Sequence, residues 1–489
     1  MKNKYNYLFS LGLLFAAGSV HGNPSEKFNV LFISVDDLRP ALGAYGDPLA
    51  ISPHIDLLAA SGRLFNRAYT QQAVCGPSRA SLMTGKLPDN IKVWHNRNHF
   101  RETRPDLVTL PQWFMARGYQ SIGIGKTFSG NPREEDLASW SEPAVLRAEG
   151  WNTYALENKH STGGKGVSYE CAELPDDAYA DGKVTELAIA RIRDFKAKSQ
   201  PFFLSVGFFK PHLPFNAPKK YWDLHERDKF TPDPAWALVK DAPAEAYHEH
   251  RELGGYVDMP KDERLTVEQS ITLRHGYYAC ISYIDAQVGR LMAELEATGL
   301  IENTIVVLWG DHGFALGENQ RWCKGTNFEA DTRVPLIIRA PGMASPGQVT
   351  SALIELVDIY PTLTDLIAQE VPAGLDGRSQ LALLRDPAAP GRNYVLSQFA
   401  RPFTRADPVV MGYSLRDSRH RFTQWRDFAT GSTLSEEFYD YTDGQSVDST
   451  GAHAWERRNL IDSVERQTDI SALRAALQGT LRERTGAGR

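Results

Sequence analysis

Several short stretches of this chain hold side chains that can do chemistry together. Cys75-Gly76-Pro77-Ser78-Arg79 sets a thiol and a guanidinium four residues apart. On a helix that is one turn, so Arg79 can lie beside whatever Cys75 presents. Asp36-Asp37 and Asp311-His312-Gly313 each close an apolar run. Two adjacent acids can serve a hard divalent cation if a turn aims both at it. Either pair alone also reads as a helix N-cap or a solvated turn. Taken with Cys75, the pairs read as a metal site that activates a nucleophile and neutralises charge. Lys126 follows Gly125, and Lys324 lies in Trp322-Cys323-Lys324-Gly325. Both lysines suit the oxygens of a tetrahedral anion, or they are simply solvated. His212 stands between Pro211 and Pro214. A stiff loop gives its ring one direction, as protonating a leaving oxygen requires. A ring stacked in a proline-rich loop is the plainer reading.

Elements placed by pattern bring these residues to one edge. Phe28 to Val35, Tyr119 to Ile124, Pro201 to Gly207, Thr304 to Trp309 and Val334 to Arg339 are apolar runs of strand length, continuous as in a sheet buried on both faces. Ser52-Pro53 opens one helix. Ser78 to Met83, Leu110 to Arg117 and Leu265 to Leu300 read as others. Alternating strands and helices predict an α/β fold with a large, mixed, mostly parallel sheet flanked by helices. Ligands of such sheets sit beyond the carboxyl ends of the strands. Asp36-Asp37, Lys126 and Asp311-His312 all fall there. Residues 376–392 are rich in Gly, Pro, Asp and Arg and read as a linker. Beyond them, Tyr394 to Phe399, Met411 to Leu415, Arg421 to Trp425 and Phe438 to Tyr441 predict a smaller C-terminal antiparallel sheet, packed by one helix over Ile470 to Arg484.

The chain has 489 residues, enough for more than one core. Its net charge of −6 gives no reason to expect nucleic acid or an anionic membrane as partner. Lys2 and Lys4, the apolar run Leu8 to Val20 and the small residues near Gly22 read as a signal peptide over 1–22. The expected organisation is then a catalytic domain over 23–375 and a smaller α+β subdomain over 376–489. No later run is long enough to span a membrane, so the mature chain is expected to be periplasmic or secreted. Export permits disulfides, yet there are only four cysteines: Cys75, Cys171, Cys280 and Cys323. Cys280 lies on an apolar helical face and reads as core.

Cys-x-Pro-Ser-Arg running into Leu82-Met83-Thr84-Gly85 resembles the signature of the formylglycine-dependent (type I) sulfatases. Asn29 to Pro40, Gln71 to Arg79, Gly207 to Phe215, Tyr283 to Arg290, Asp311 to Glu318 and Glu355 to Thr362 extend the likeness in the right order. They resemble the iduronate-2-sulfatase-like bacterial polysaccharide sulfatases. The resemblance implies an alkaline-phosphatase-like sulfatase fold. It implies that a maturation enzyme oxidises Cys75 to formylglycine. One hydroxyl of the hydrated aldehyde then attacks sulfur, and the other expels the bound sulfate. It further implies one calcium ion on Asp36, Asp37, Asp311, His312 and the modified Cys75, with Arg79, Lys126, His212 and Lys324 around nucleophile and sulfate. One position departs. The family segment Gly-Lys-x-Phe-His reads Gly125-Lys126-Thr127-Phe128-Ser129 here, so a histidine credited with assisting formylglycine turnover is a serine.

The expected substrate is a sulfated oligosaccharide, from an algal polysaccharide such as ulvan or carrageenan or from glycosaminoglycan-like uronate sulfates. Trp94 to Arg101 lies between the cysteine helix and the Lys126 strand, and reads as a rim. Its rings suit a sugar face, and Arg97, His99 and Arg101 suit sulfate or carboxylate oxygens. A solvated basic loop is equally open. Two other functions stay in view: a phosphonate or phosphodiester hydrolase of the same superfamily, and a silent sulfated-glycan-binding relative in which Ser129 marks lost catalysis.

Overall fold

The computed structural model describes residues 27–129, 135–146, 151–156, 165–232, 237–248, 251–368, 370–403, 407–442 and 455–485. The expected signal peptide lies outside them. Among the described residues, eight strands form the large sheet: β1 (Asn29–Val35), β2 (Arg63–Tyr69), β3 (Gln120–Gly125), β4 (Phe202–Phe208), β5 (Thr304–Gly310), β6 (Arg333–Val334), β7 (Leu336–Arg339) and β8 (Val349–Glu355). The order is β6-β2-β7-β5-β1-β4-β3, with β8 on β2. β3, β4, β1 and β5 are mutually parallel. β7 runs antiparallel to β5 and β2. The expected strand over Val334 to Arg339 is split at Pro335, which has no N–H to give a ladder.

Alternate residues of the central strands feed two cores. Leu31, Ile33 and Val35 face helices α1 (Pro53–Ser61), α4 (Ala180–Lys198) and α5 (Val267–Ala297). Val30 and Phe32, with Phe203, Ile305, Val307 and Trp309, face α2 (Cys75–Thr84), α3 (Leu110–Met115) and α6 (Ile359–Ala368). Burial on both faces explains why these strands are apolar throughout.

A second sheet, β9 (Val395–Arg401), β10 (Val410–Arg416), β11 (His420–Asp427) and β12 (Thr433–Asp440), is an antiparallel meander. Helix α7 (Gln467–Arg484) lays Ile470, Leu473, Leu477 and Leu481 onto it. The linker expectation for 376–392 is corrected. A short helix, Leu381–Arg385, buries Leu383 and Leu384 in the main core. Asp376 accepts from Lys86 Nζ (3.2 Å), the Leu87 amide (2.8 Å) and Asn90 Nδ2 (2.6 Å). All four cysteines are free, with Cys280 in the core and Cys171 exposed. Among the described residues no helix is long and apolar enough to cross a membrane.

Glu355 fastens the two sheets. It ends β8, is fully buried, and accepts Arg484 Nη1 and Nη2 (2.8 and 2.6 Å) from α7 and the Leu396 amide (2.8 Å) from β9. Burial opposes its charge, but Arg392 and Arg484 overcome this and hold its carboxyl at about 2, from an ordinary 4.5. Its stabilisation is therefore complete above pH 4.5 and is lost as pH falls toward 2. Glu355→Ala strands two guanidinium groups and is expected to cost about 3–5 kcal/mol. Thermal melting at pH 7 checks this; an unchanged melting temperature refutes the fastening role.

Candidate active site

The carboxyl ends of β1, β3 and β5 and the first turn of α2 meet at one buried point. Asp36 continues β1, its amide donating to Phe208 O (3.1 Å). Asp37 then turns left-handed, with φ 58°. Neighbouring side chains that diverge on a strand are thereby brought together. The strain is offset by the Asp37 amide donating to Asp311 Oδ1 (3.1 Å). Asp311 and His312 follow β5. Lys126 follows β3, where Gly125 (φ 75°) lies against Gly207 so tightly that a side chain on either would strike the other strand.

Cys75 is the first residue of α2, a helix buried along its whole length. Its Sγ lies 3.3 Å from His312 Nε2 and from Lys126 Nζ, and 3.5 Å from Asp36 Oδ1. One turn on, Arg79 reaches back as its spacing predicts. Its Nε donates to Asp311 Oδ2 (2.9 Å), Nη2 to Asp36 Oδ1 (3.5 Å), and Nη1 to Ser34 Oγ (3.1 Å) and to the carbonyls of Lys126 and Thr127. Lys126 Nζ donates to Asp36 Oδ2 (2.5 Å). Burial opposes ionisation of Asp36, yet Lys126, His212, Arg79 and Lys324 outweigh it and hold the carboxyl well below its usual range. Burial, reinforced by Asp36, pushes the Cys75 thiol well up.

On the opposite side, Lys324 Nζ donates to Asp37 Oδ2 (3.0 Å) and to Glu252 Oε1 (3.2 Å). His212 sets Nε2 3.3 Å from Glu252 Oε1 and 4.0 Å from Asp37 Oδ2, while Nδ1 meets Leu213 O. Both ring nitrogens thus face acceptors, a setting for a proton donor. Lys210 Nζ gathers the carbonyls of Trp151 (3.1 Å), His212 (2.9 Å) and Pro214 (2.8 Å), and Asp181 accepts the amides of Phe209 (2.7 Å) and Lys210 (3.2 Å). Glu252, Lys210 and Asp181 are absent from the sequence-level site. Glu252 lies in a polar run, His248 to Glu252, without any spacing that marks it.

The structure brings Asp36, Asp37, Cys75 and His312 together, their candidate ligand atoms all within 4.8 Å of one another. Asp37 Oδ1 is buried with no hydrogen-bond partner. A buried carboxylate oxygen left open toward other ligand atoms fits a cation. Asp311 is adjacent, 3.6 Å from His312 Nε2, with its oxygens already accepting from Arg79 and from the amides of Asp37 and His312.

The expected rim splits. Asn96 Oδ1 accepts the Gly76 amide (2.8 Å), which sets the segment against the start of α2. Arg97 is exposed. His99 caps the turn by accepting the Arg101 amide (3.0 Å) and stacks on Phe100 (4.8 Å). Arg101 is committed to the fold: it pairs with Asp136 (3.0 and 2.8 Å) and donates to Gln112 and to the carbonyls of Pro105 and Leu107. Ser129 is half-buried at the end of the segment that follows Lys126.

Comparison with known proteins gives this arrangement its family. The sulfatase family model matches residues 28–369, and the family model described as "N-sulphoglucosamine sulphohydrolase, C-terminal" matches residues 317–468. The chain belongs to the sulfatase family and is a sulfuric ester hydrolase. Iduronate 2-sulfatase of Homo sapiens is 32% identical over 472 residues, covering 83% of this chain and 86% of that protein. Among solved structures, the phosphonate monoester hydrolase of Agrobacterium radiobacter superposes with a TM-score of 0.74 at 22% identity, covering 94% of this chain and 96% of that one. A complex with the substrate D-glucosamine-2-N,6-O-disulfate gives 0.72 at 22% identity, covering 94% of this chain and 99% of that one. The fold is the alkaline-phosphatase-like sulfatase fold.

Arg79→Ala would leave Asp36 and Asp311 buried without their shared cation. The expected loss is about 3–5 kcal/mol, measured by thermal or urea unfolding. A variant as stable as the parent would show that the guanidinium does not hold the strand ends.

Proposed function

We propose that this sulfatase is a calcium-dependent hydrolase of sulfated sugars that acts through formylglycine at residue 75 and works outside the cytoplasm. The observation that carries the reading is the convergence on Cys75. An acid pair, an imidazole and a buried lysine lie around one thiol inside the intact consensus. Asp36, Asp37, His312 and residue 75, with Asp311 beside them, would hold the ion, which would supply charge neutralisation at the nucleophile and sulfate. Once matured, residue 75 would supply a hydrated aldehyde as nucleophile.

The remaining residues act on the substrate. Lys126 and Lys324 bind sulfate oxygens, and Arg79 holds Asp36 and Asp311 in place behind residue 75. His212 gives its proton to the bridging oxygen as the S–O bond breaks and that oxygen keeps the bonding pair. A sugar alcohol is a poor leaving group, so this proton matters more for a sugar sulfate than for an activated aryl sulfate. The relatives point to the substrate class. One is named for iduronate, and a structural neighbour holds a disulfated glucosamine. We assign the chain to anionic sulfated oligosaccharides, of glycosaminoglycan or algal polysaccharide origin, with exposed Arg97 on the rim open to a second anionic group.

Peptide mass spectrometry of active protein is expected to show the thiol-to-aldehyde conversion at residue 75, and chelation is expected to abolish turnover until calcium is restored. Full activity with an unmodified thiol, or after metal stripping, would refute the mechanism. His212→Ala is expected to slow sugar-sulfate hydrolysis about a hundredfold or more, and a nitrophenyl sulfate less than about tenfold. Equal losses on the two substrates would reassign His212 to sulfate binding.

A further inference from the structure

Glu252 lies outside every motif, yet its carboxylate sits between His212, the proposed proton donor, and Lys324, a proposed sulfate ligand. Its Oε1 is 3.3 Å from His212 Nε2, and its oxygens are 3.2 and 3.0 Å from Lys324 Nζ. The residue is itself fixed. Lys165 Nζ donates to its carbonyl (3.1 Å) and lies over the Tyr256 ring, 4.6 Å from the centroid. We propose that Glu252 is a positioning residue for the departure of the alcohol: it keeps the Nε2 edge of His212 off Asp37 and on the side of the leaving oxygen, while it shares Lys324 with Asp37. This inference rests on the reading of His212 as the acid.

The argument is one of competing acceptors. Asp37 Oδ2 is the other carboxylate oxygen facing these donors, at 3.0 Å from Lys324 Nζ and 4.0 Å from His212 Nε2. The His212 ring is already anchored through Nδ1 on Leu213 O, and its loop by Lys210 and Asp181. Only the Nε2 end is left to choose a partner. Without Glu252, Asp37, a proposed metal ligand, is the carboxylate left facing Nε2, and the ring would leave its present direction. A purely structural carboxylate is also poorly placed here, because it repels an incoming sulfate. It stands at that electrostatic cost beside the ring whose direction decides proton delivery.

Glu252→Gln and Glu252→Ala, in the matured calcium-loaded enzyme, test this. Gln keeps the shape and one acceptor, so it preserves the fold if Ala does not; thermal melting shows which variants are folded. A folded Glu252 variant is expected to lose about ten- to a hundredfold in kcat/KM on the sugar sulfate and less than about threefold on a nitrophenyl sulfate. Across a series of aryl sulfates, the dependence of log kcat/KM on leaving-group pKa should steepen. In a His212→Ala background the Glu252 change should cost under about twofold, since the two act as one unit. Equal losses on both substrates, an unchanged leaving-group slope, or a full additional loss in the His212→Ala background overturns the inference and leaves the function standing. Failure of His212→Ala itself to discriminate the two substrates overturns the general-acid reading, and this inference with it.

Discussion

A guanidinium sealed from water holds this site together. Arg79 is fully buried, and every polar group it touches comes from a strand end: Ser34 and Asp36 on β1, the carbonyls of Lys126 and Thr127 after β3, and Asp311 after β5. Its ring neighbour, Trp309 on β5, lies 5.6 Å away. A charge in this setting is tolerable only when opposite charge and acceptors surround it. The acids need the arginine as much as it needs them. The parallel core of the sheet meets this demand, because it delivers three loop starts to one edge. Helix α2 then sets Cys75 one turn before Arg79, so the residue that locks the strand ends also fixes the place of the proposed nucleophile.

What could be read from the sequence follows from how each element is solvated. β1, β4 and β5 are sealed on both faces, so their apolar runs announce them. β2 went unseen because Arg63, Asn66 and Arg67 break its pattern. Arg63 is nonetheless buried, and its guanidinium is satisfied by the carbonyls of Leu383, Ser345, Gln348, Ala344 and Leu384. Tertiary acceptors, invisible in the local sequence, let a charged residue sit in a core strand. β8 hides for a different reason: its pairing with β2 shifts register between Thr350 and Leu353, which interrupts the two-residue alternation.

The same limit divides the candidate site. Asp36, Asp37, Cys75, His312 and Arg79 were legible because their spacing around strand ends and one helical turn is local. Glu252 was not, because only tertiary packing of its loop brings it to His212 and Lys324. The stretch 376–392 shows the converse error. Gly, Pro and Asp mark irregular backbone, and irregular backbone is not free backbone. Here it is fastened by Asp376 to the loop after α2 and by Arg392 to Asp358. Arg101 makes the point for side chains. An arginine in a rim segment has the same signature whether it awaits a ligand or pairs with Asp136, which lies 35 residues further on.

Charge counting around Cys75 shows what the protein's own groups leave undone. Asp36, Asp37, Asp311 and Glu252 are four carboxylates, set against three fixed cations, Arg79, Lys126 and Lys324. Burial opposes the charges of Asp36, Glu252, Lys126 and Lys324, but mutual attraction keeps the two acids ionised and the two lysines protonated. Lys210 and Asp181 balance each other behind the His212 loop and do not alter the sum. Even with His212 protonated, the centre only reaches neutrality. A neutral, buried centre has little to offer a sulfate ester leaving water. A divalent cation among Asp36, Asp37 and His312 would turn the balance positive by two charges, at the place where Asp37 Oδ1 has no hydrogen bond and faces His312 Nε2 at 3.4 Å. Anion binding and activation of the proposed nucleophile therefore make the same demand: the acidic cluster, which alone repels a sulfate, is the part of the chain that would hold the cation to bind it.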